Sequence, residues 1–239
     1  MNIVITAGGT SERIDNVRKI TNSSSGKLGM IIANTIINNH RDVDKIYYVC
    51  SSNAFKPSNE KIKIITVSSV SDLEKVVCDL LTNNKIDYFI HSMAVSDYAV
   101  DYVSTSKLLE EYINNHTSES ISHLISHNQN VIQDSKISSY EQDLIIRLKK
   151  TKKIISIIKK ISPNTKLFGF KLLDKVTKEE LISRAIDLMD KNKCDLVVAN
   201  DLDNIRSVHH KAYIIGNDYR YESVNNKEEI AKCLVKHLI

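Results

Sequence analysis

The apolar positions of this 239-residue chain fall into short continuous runs separated by stripes of helical spacing. Ile3 to Ile5 is a β-branched run typical of a buried parallel strand. Similar runs predict further strands at 45–50, 62–67, 86–91, 167–171 and 195–199. Apolar residues spaced by three and four predict helices from Leu28 onward and at 71–81, 151–161 and 177–191. This alternation predicts an α/β, three-layer Rossmann-like fold with a mostly parallel central sheet.

Residues that cap helices precede several of these segments. Ser23 to Ser25 stand before the first predicted helix, and Ser71 with Glu74 has the spacing of a capping box. Thr177 with Glu180 has the same spacing. These positions therefore predict where the helices begin.

Two parts of the chain depart from the alternation. Segments 211–215 and 219–223 predict a small C-terminal β extension, and a last helix is expected from 226 to about 238. Residues 101–134 are polar and contain no glycine or proline, so we predict an insertion or mobile flap there, and 144–148 favours a helical turn or an amphipathic strand. No repeat or linker is visible, which predicts a single domain over 1–239.

Composition narrows the class of protein. The chain is 42% hydrophobic and 26% charged, as soluble globular proteins are, and its net charge of +4 is too small to indicate nucleic-acid binding. No apolar run approaches the roughly 20 residues that span a bilayer. The N-terminus leads directly into a strand without a signal-peptide pattern, and the four cysteines form no pair in sequence. We expect a cytoplasmic protein with no nucleic-acid or membrane partner.

Four of the six glycines lie at positions 8, 9, 26 and 29. Glycine permits positive φ and close approach of a ligand to the backbone, and a helix N-terminus after such a turn binds phosphate. The other predicted strands also end in small or polar residues, at 93–97, 169–171 and 200–201. Since ligands of open α/β sheets bind at the carboxyl ends of strands, these loops predict a nucleotide site.

Several motifs are absent. The glycines do not follow G-x-G-x-x-G, no P-loop or G-x-S-x-G occurs, and no Cys/His spacing suggests a protein-bound metal. The lysines of 149–166 have two interpretations: they form the solvated face of a helix, or their positive electrostatic potential attracts a triphosphate. The residues alone leave an enzyme of unspecified chemistry, a dinucleotide-dependent oxidoreductase and a non-catalytic nucleotide-binding protein open.

Longer motifs are more specific. Residues 6–10 (Thr-Ala-Gly-Gly-Thr), 20–29, 94–98 (Ala-Val-Ser-Asp-Tyr), 169–171 and 195–201 (Asp-Leu-Val-Val-Ala-Asn-Asp) occur in the order seen in phosphopantothenate–cysteine ligases. The chain resembles the stand-alone bacterial form of that family over nearly its whole length.

The resemblance implies an activity. Family members join 4′-phosphopantothenate to L-cysteine in coenzyme A biosynthesis through an acyl-nucleotidylate, an acyl-cytidylate where CTP is used. Bacterial members use CTP and the animal enzyme ATP, with Mg2+. A homodimer is implied as well. No protein nucleophile is required, so catalysis would rest on positioning and charge stabilisation.

The resemblance also implies roles for individual residues. Asn22 and Lys136 would be catalytic, and phosphopantothenate and the acyl intermediate would be held by Arg18 (from a neighbouring subunit), Asn22, Ala94 and Asp97. The nucleotide would be bound by Gly8, Gly9, Ser24, Gly26, Gly29, Phe170, Lys191 and Asn200.

Four positions depart from the family pattern. Met93 replaces an alanine, Ser138 or Ser139 a second loop lysine, and Asp187 a lysine one turn before Lys191. The usual Asn-Pro-Asp turn is Thr-Lys-Lys at 151–153, and 101–134 has no clear match. These departures bear on the choice of nucleotide more than on the reaction.

Overall fold

The computed structural model describes residues 1–115, 136–203 and 211–238. These residues form two compact units, a larger one of Met1–Thr10, Asn22–Val95 and Lys153–Ile239, and a smaller one of Ser11–Thr21 and Ser96–Lys152. The single-domain assignment stays a prediction. None of the helices in the described ranges is long and apolar enough to cross a membrane.

The described elements are, in chain order, β1 (Asn2–Ala7), β2 (Ser11–Arg13), β3 (Lys19–Thr21), α1 (Lys27–Asn39), β4 (Lys45–Ser51), β5 (Ile62–Val67), α2 (Val70–Asn83), β6 (Tyr88–His91), β7 (Tyr98–Ser104), α3 (Ser106–Asn115), β8 (Ile145–Lys150), α4 (Ile155–Ile161), β9 (Lys166–Leu173), α5 (Lys178–Asn192), β10 (Leu196–Asp201), β11 (Ala212–Gly216), β12 (Tyr221–Val224) and α6 (Lys227–Lys236).

The larger unit is built on an eight-stranded sheet in the order β12-β11-β10-β9-β6-β1-β4-β5. All pairings from β10 to β5 are parallel, and β11 and β12 are added antiparallel. The parallel strands run outward from β1 in one direction and from β6 in the other, which is the strand order of Rossmann folds. The predicted fold class and C-terminal β extension are confirmed.

Both faces of the sheet are covered, as the continuous apolar strands predict. Ile3 and Ile5 of β1 belong to the same buried cluster as Ile32 and Ile36 of α1, which also contains residues of α6. Val4, on the other face of β1, belongs to a second buried cluster with residues of α2, α4 and α5. Adjacent residues of one strand therefore supply the two cores between the three layers.

The helix starts correct one expectation and confirm another. The cap of α2 is Ser69, whose hydroxyl accepts from the Asp72 amide at 3.1 Å while Asp72 accepts from the Ser69 amide at 3.0 Å. The predicted Ser71 is already inside the helix, because buried Val70 forms its first residue. Thr177 caps α5 as predicted and accepts from the Glu180 amide at 3.2 Å.

The smaller unit contains a hairpin that the sequence pattern did not predict, formed antiparallel by β2 and β3. A short helix at 107–113 is compatible with the sequence, and α3 is found there. β7 pairs antiparallel with β8, which settles 145–150 as a strand, and α3 follows β7. The first part of the predicted flap is therefore strand and helix, while its positions 116–134 lie outside the described residues.

Candidate functional site

The loops that follow β1 and β6 join at the carboxyl edge of the larger unit's sheet. The Ala94 amide donates to the Gly8 carbonyl at 2.9 Å, and the Thr10 amide donates to the Ala94 carbonyl at 3.1 Å. β1 and β6 are the neighbours from which the strand order diverges, so the loops frame the position where Rossmann folds bind ligands.

A buried polar pair lies beneath these loops. The Thr6 hydroxyl and Nδ1 of His91 are 2.8 Å apart, and the Ser92 hydroxyl donates to the Thr6 carbonyl at 2.7 Å. Burial lowers the pKa of His91 to about 4, so its ring is neutral at pH 7. Sequence reasoning missed His91, which reads there as one more residue of a strand.

The start of α1 corrects the expected serine cap. The N-cap is Gly26, with φ of 69°, and it makes no side-chain capping bond. A residue with a Cβ is strained in this left-handed conformation, which explains the glycine. The first turn contains no acidic residue. The Lys27 amide donates to the Ser25 hydroxyl at 3.4 Å, and the start of α1 is a helix end with partial positive charge and no N-cap side chain.

Tyr48 of β4 supports this helix start from below, a role that the sequence pattern gave no sign of. Its buried hydroxyl lies 3.0 Å from the Phe55 carbonyl and 3.3 Å from the Gly26 carbonyl, and the Phe55 amide donates to the Ser25 carbonyl at 3.0 Å. Burial raises the pKa of Tyr48, which keeps the hydroxyl a donor at any physiological pH. The loop after β4 thus holds the Ser25–Gly26 turn in place.

A cavity of about 380 Å³ opens at this edge of the larger unit. Its described lining comes from the α1 start, the ends of β6, β9 and β10, and α6, namely Ser23, Ser24, Ser25, Gly26, Lys27, Leu28, Gly29, Ser92, Met93, Ala94, Phe170, Lys171, Leu172, Asn200, Leu202 and Lys227. These lining residues include three lysines and no aspartate or glutamate. Such a surface favours a polyanion.

Asn200 supplies a specific recognition group in the cavity. The residue is 6% exposed, and its Oδ1 atom is buried without a hydrogen-bond partner among the described residues. Buried polar atoms in native proteins are usually paired, and a ligand donor would satisfy this one. Asn200 therefore gives the site an acceptor beside its cationic groups.

The structure brings most of the predicted nucleotide-binding and substrate-binding residues of the larger unit together. The cavity lining includes the predicted Ser24, Gly26, Gly29, Ala94, Phe170 and Asn200. Gly8 and Asn22 lie immediately behind it: a Cβ on Gly26 would be 3.0 Å from the Gly8 amide nitrogen, and the Asn22 amide donates to the Thr10 carbonyl at 3.0 Å. Gly9 contacts the Asn22 backbone.

Lys191 is placed elsewhere in the larger unit. It lies exposed in the last turn of α5, before β10 begins, whereas Asn200 lies near the carboxyl end of β10. Lys191 is outside the described lining of the cavity. Its nucleotide-binding role stays a prediction.

Three predicted residues belong to the smaller unit: Arg18, Asp97 and the exposed Lys136. The Arg18 guanidinium is 2.9 Å from the buried Asp15 carboxylate and 3.3 Å from the Ile137 carbonyl. Hydrogen bonds from the backbone amides of Arg18 and of neighbouring residues lower the pKa of Asp15 despite its desolvation. Arg18 is thus held in place beside the segment that carries Lys136, and the roles of all three stay predictions.

Sequence reasoning did not single out Lys227 or Leu202 as cavity residues. Leu202 directly follows the motif at 195–201, whereas Lys227 comes from a segment without glycine or a recognised motif, so no local signal marked the lysine. The described residues contain no cluster of three or more His, Cys, Asp or Glu side chains that could hold a metal ion.

The fold and the cavity define a Rossmann-like protein with a lysine-lined cavity at the switch point of its sheet. The chain matches the family model described as DNA/pantothenate metabolism flavoprotein C-terminal domain over residues 1–121 and 126–239, and it belongs to that family.

Relatives agree with this membership. The coenzyme A biosynthesis bifunctional protein CoaBC of Thermococcus kodakarensis is 30% identical over 217 residues, covering 91% of this chain and 45% of that protein. The corresponding protein of Methanocaldococcus jannaschii is 27% identical over 230 residues, covering 96% and 46%. The chain thus spans about half the length of these curated relatives.

Solved structures give the same result. The DNA/pantothenate metabolism flavoprotein from Streptococcus pneumoniae is 36% identical, with a TM-score of 0.85 and coverage of 100% of this chain and 98% of that one. A Cab2 H337A variant in complex with phosphopantothenate-cysteine is 16% identical, with a TM-score of 0.70 and coverage of 99% and 85%. At that identity the second likeness shows the fold alone.

Proposed function

We propose that this protein is a phosphopantothenate–cysteine ligase of coenzyme A biosynthesis that uses CTP. The observation that carries the proposal is the cavity, with three lysines, no carboxylate among its described lining residues, and the uncapped start of α1. The names of the relatives support it, since CoaBC proteins are described as coenzyme A biosynthesis proteins. A protein of the same fold also binds phosphopantothenate-cysteine.

The proposed reaction has two steps. The carboxylate of 4′-phosphopantothenate attacks the α-phosphorus of CTP, forming an acyl-cytidylate and releasing pyrophosphate. The amine of L-cysteine then attacks the acyl carbon, loses a proton, and displaces CMP as the amide bond forms. Both steps proceed without a covalent bond to the protein.

The chain would catalyse these steps by stabilising negative charge on the substrates and by positioning the reacting groups. The amides at the start of α1 and the lysines around them suit phosphate oxygens, because helix N-termini and cations stabilise phosphate negative charge. The Asn200 Oδ1 atom would accept from a hydroxyl or amino group of the nucleotide. Asn22, tied to Thr10 through its backbone, would donate its side-chain amide to the acyl carbonyl oxygen, where negative charge develops.

Mg2+ would bind in the cavity together with the triphosphate of the nucleotide. Magnesium prefers oxygen ligands, and the described cavity residues offer no aspartate or glutamate. The phosphate oxygens of the nucleotide would therefore provide its ligands, and the lysines would neutralise the remaining charge.

Further parts of the proposal rest on the resemblance of the motifs. Arg18 would contact the phosphopantothenate bound to the other subunit of a homodimer. Asp97 would bind phosphopantothenate and the acyl intermediate, and Lys136 would stabilise the negative charge of the triphosphate. The cytoplasm is the proposed location.

A pyrophosphate-release assay tests the function directly. We expect release from CTP that requires 4′-phosphopantothenate, followed by formation of phosphopantothenoylcysteine once L-cysteine is added. Mixtures that lack phosphopantothenate or contain ATP in place of CTP are the controls. No pyrophosphate with either nucleotide would contradict the proposal, and hydride transfer with NAD(H) would replace it with an oxidoreductase.

A further inference from the structure

Lys227 reaches the cavity from the far end of the chain. It is the first residue of α6, it is half-buried, and it lines the cavity together with the start of α1 and Asn200. None of the motifs that indicated the site includes this lysine.

The two helices that bring Lys27 and Lys227 to the cavity lie side by side. Ile32 of α1 and Ile230 of α6 belong to one buried cluster on the same face of the sheet. At the other end of the pair, the His40 ring is 3.1 Å from the Val235 carbonyl. The helices therefore run in the same direction, and both begin at the cavity with a lysine.

Helix stability does not explain a lysine at the start of α6. The N-terminal end of a helix carries partial positive charge, which repels a cation. The remaining first turn is acidic, and the Asn226–Glu229 pair already caps it, with the Glu229 amide donating to Asn226 Oδ1 at 2.8 Å. Among the described residues, the Lys227 side chain makes no hydrogen bond or ion pair, so neither Glu228 nor Glu229 fixes its position.

We propose that Lys227 binds the phosphate groups of the nucleotide from the start of α6, beside the start of α1. The proposal rests on the proposed function for the identity of the nucleotide. An independent observation points to a ligand here, because Asn200 is 6% exposed and its Oδ1 has no partner among the described residues. A lysine ammonium is a compact charge with three donors, which suits phosphate oxygens in varied orientations.

Binding measurements on three variants test the proposal. Lys227→Ala removes the charge, Lys227→Arg keeps it, and Lys232→Ala removes an exposed lysine from the same helix as a control. Isothermal titration with Mg–CTP and, separately, with inorganic tripolyphosphate measures affinity, and thermal melting measures stability.

We expect Lys227→Ala to weaken both ligands about tenfold, the scale of one charge-assisted hydrogen bond. Lys227→Arg should retain most of the affinity, and Lys232→Ala should match the wild type. The melting temperature of Lys227→Ala should be unchanged or higher, because a cation has been removed from the helix start.

The outcomes separate this proposal from the function. Unchanged affinity in Lys227→Ala, an equal loss in Lys232→Ala, or a lower melting temperature without weaker binding would overturn the role of Lys227. Failure of the wild type to bind either ligand would also overturn it. If the lysine effect appears with tripolyphosphate but no pyrophosphate is released from any nucleotide, Lys227 stands and the ligase function fails.

Discussion

The start of α1 differs from the starts of the other long helices in the larger unit. α2, α5 and α6 each begin with a polar side chain, Ser69, Thr177 or Asn226, that accepts from an amide of the first turn. α1 begins at Gly26 in a left-handed conformation without a side-chain cap, although three serines precede it. The capped starts satisfy the helix from within the chain, whereas at the start of α1 the Lys27 amide donates a long 3.4 Å bond to the Ser25 hydroxyl and Gly26 supplies no side-chain acceptor for the amides that follow.

The difference between these helix starts separates a contribution to stability from a contribution to ligand binding. A side-chain cap stabilises a helix by about 1 kcal/mol. The chain forgoes that contribution at the start of α1, whose first residues line the lysine-rich cavity, and keeps it at the starts of α2, α5 and α6. We expect substitutions in the two groups to change different measured quantities.

Gly9→Ala is expected to have the largest effect. A Cβ on Gly9 would overlap the Asn22 carbonyl oxygen and lie 2.9 Å from the carbonyl carbon, and backbone atoms cannot move aside cheaply. We expect loss of ligase activity and destabilisation by about 3 kcal/mol or more, measured by pyrophosphate release and urea unfolding. Gly216→Ala is the control, because its Cβ would meet the flexible end of Asp218. Near-wild-type activity in Gly9→Ala would show that this loop geometry is dispensable.

Asn22→Asp should reduce turnover without a comparable loss of stability. A carboxylate cannot donate to the developing oxyanion, and loss of one such donor slows catalysis about 10² to 10³-fold. We expect the second half-reaction to slow more than the first, so that acyl-cytidylate accumulates in quenched-flow samples. The same loss in both half-reactions would speak against this role for Asn22.

His91 should make stability sensitive to acid. Its folded pKa of about 4 lies below the unfolded value near 6.5, so the unfolded chain takes up a proton that the folded one excludes. The contribution of neutral His91 to the free energy of unfolding is complete above pH 6.5 and is lost as the pH falls toward 4. The loss between pH 7 and pH 5 is about 2 kcal/mol. His91→Gln should flatten this dependence in urea unfolding, whereas the exposed control His237→Gln should preserve it. An unchanged slope in His91→Gln would refute the assignment.

Paired cap substitutions should show the smallest effects and contrast the two kinds of helix start. Thr177→Ala removes a cap and should cost about 1 kcal/mol of unfolding free energy without changing the KM for nucleotide. Ser25→Ala removes only a long, exposed 3.4 Å bond from the Lys27 amide, so it should leave stability within about 0.5 kcal/mol and raise the KM for nucleotide. Reversed results for the two variants would contradict the division between stabilising and ligand-binding helix starts.

Most of the strands and helix starts of the larger unit could be predicted from local sequence signals. Apolar runs such as the one at Ile3 gave β1, β6 and β10, because a strand buried on both faces is largely apolar. Thr177 gave the start of α5, because its hydroxyl needs only the amide three residues on. The predicted Ser71 cap missed by two residues, since Ser69 and Ser71 offer the same chemistry and only the burial of Val70 distinguishes them.

The strands of the smaller unit were harder to predict from the sequence. β2 and β3 are short, with β3 fully exposed, so they lack the apolar alternation that marks a strand. The pairing of β7 with β8 joins positions more than forty residues apart along the chain, and local spacing carries no information about it.

The sequence by itself determined the parallel α/β core, the glycine-rich loops after the first strand and, through the order of its motifs, the family to which the chain belongs. These are local properties of apolar periodicity and backbone freedom. The tertiary structure alone decided that Tyr48 supports the Gly26 turn, that His91 is buried and neutral, and that Lys227 joins Lys27 and Asn200 around one cavity. Each of these depends on distant segments meeting, and the packing of α1 beside α6 brings a lysine near the C-terminus to a site that begins at residue 8.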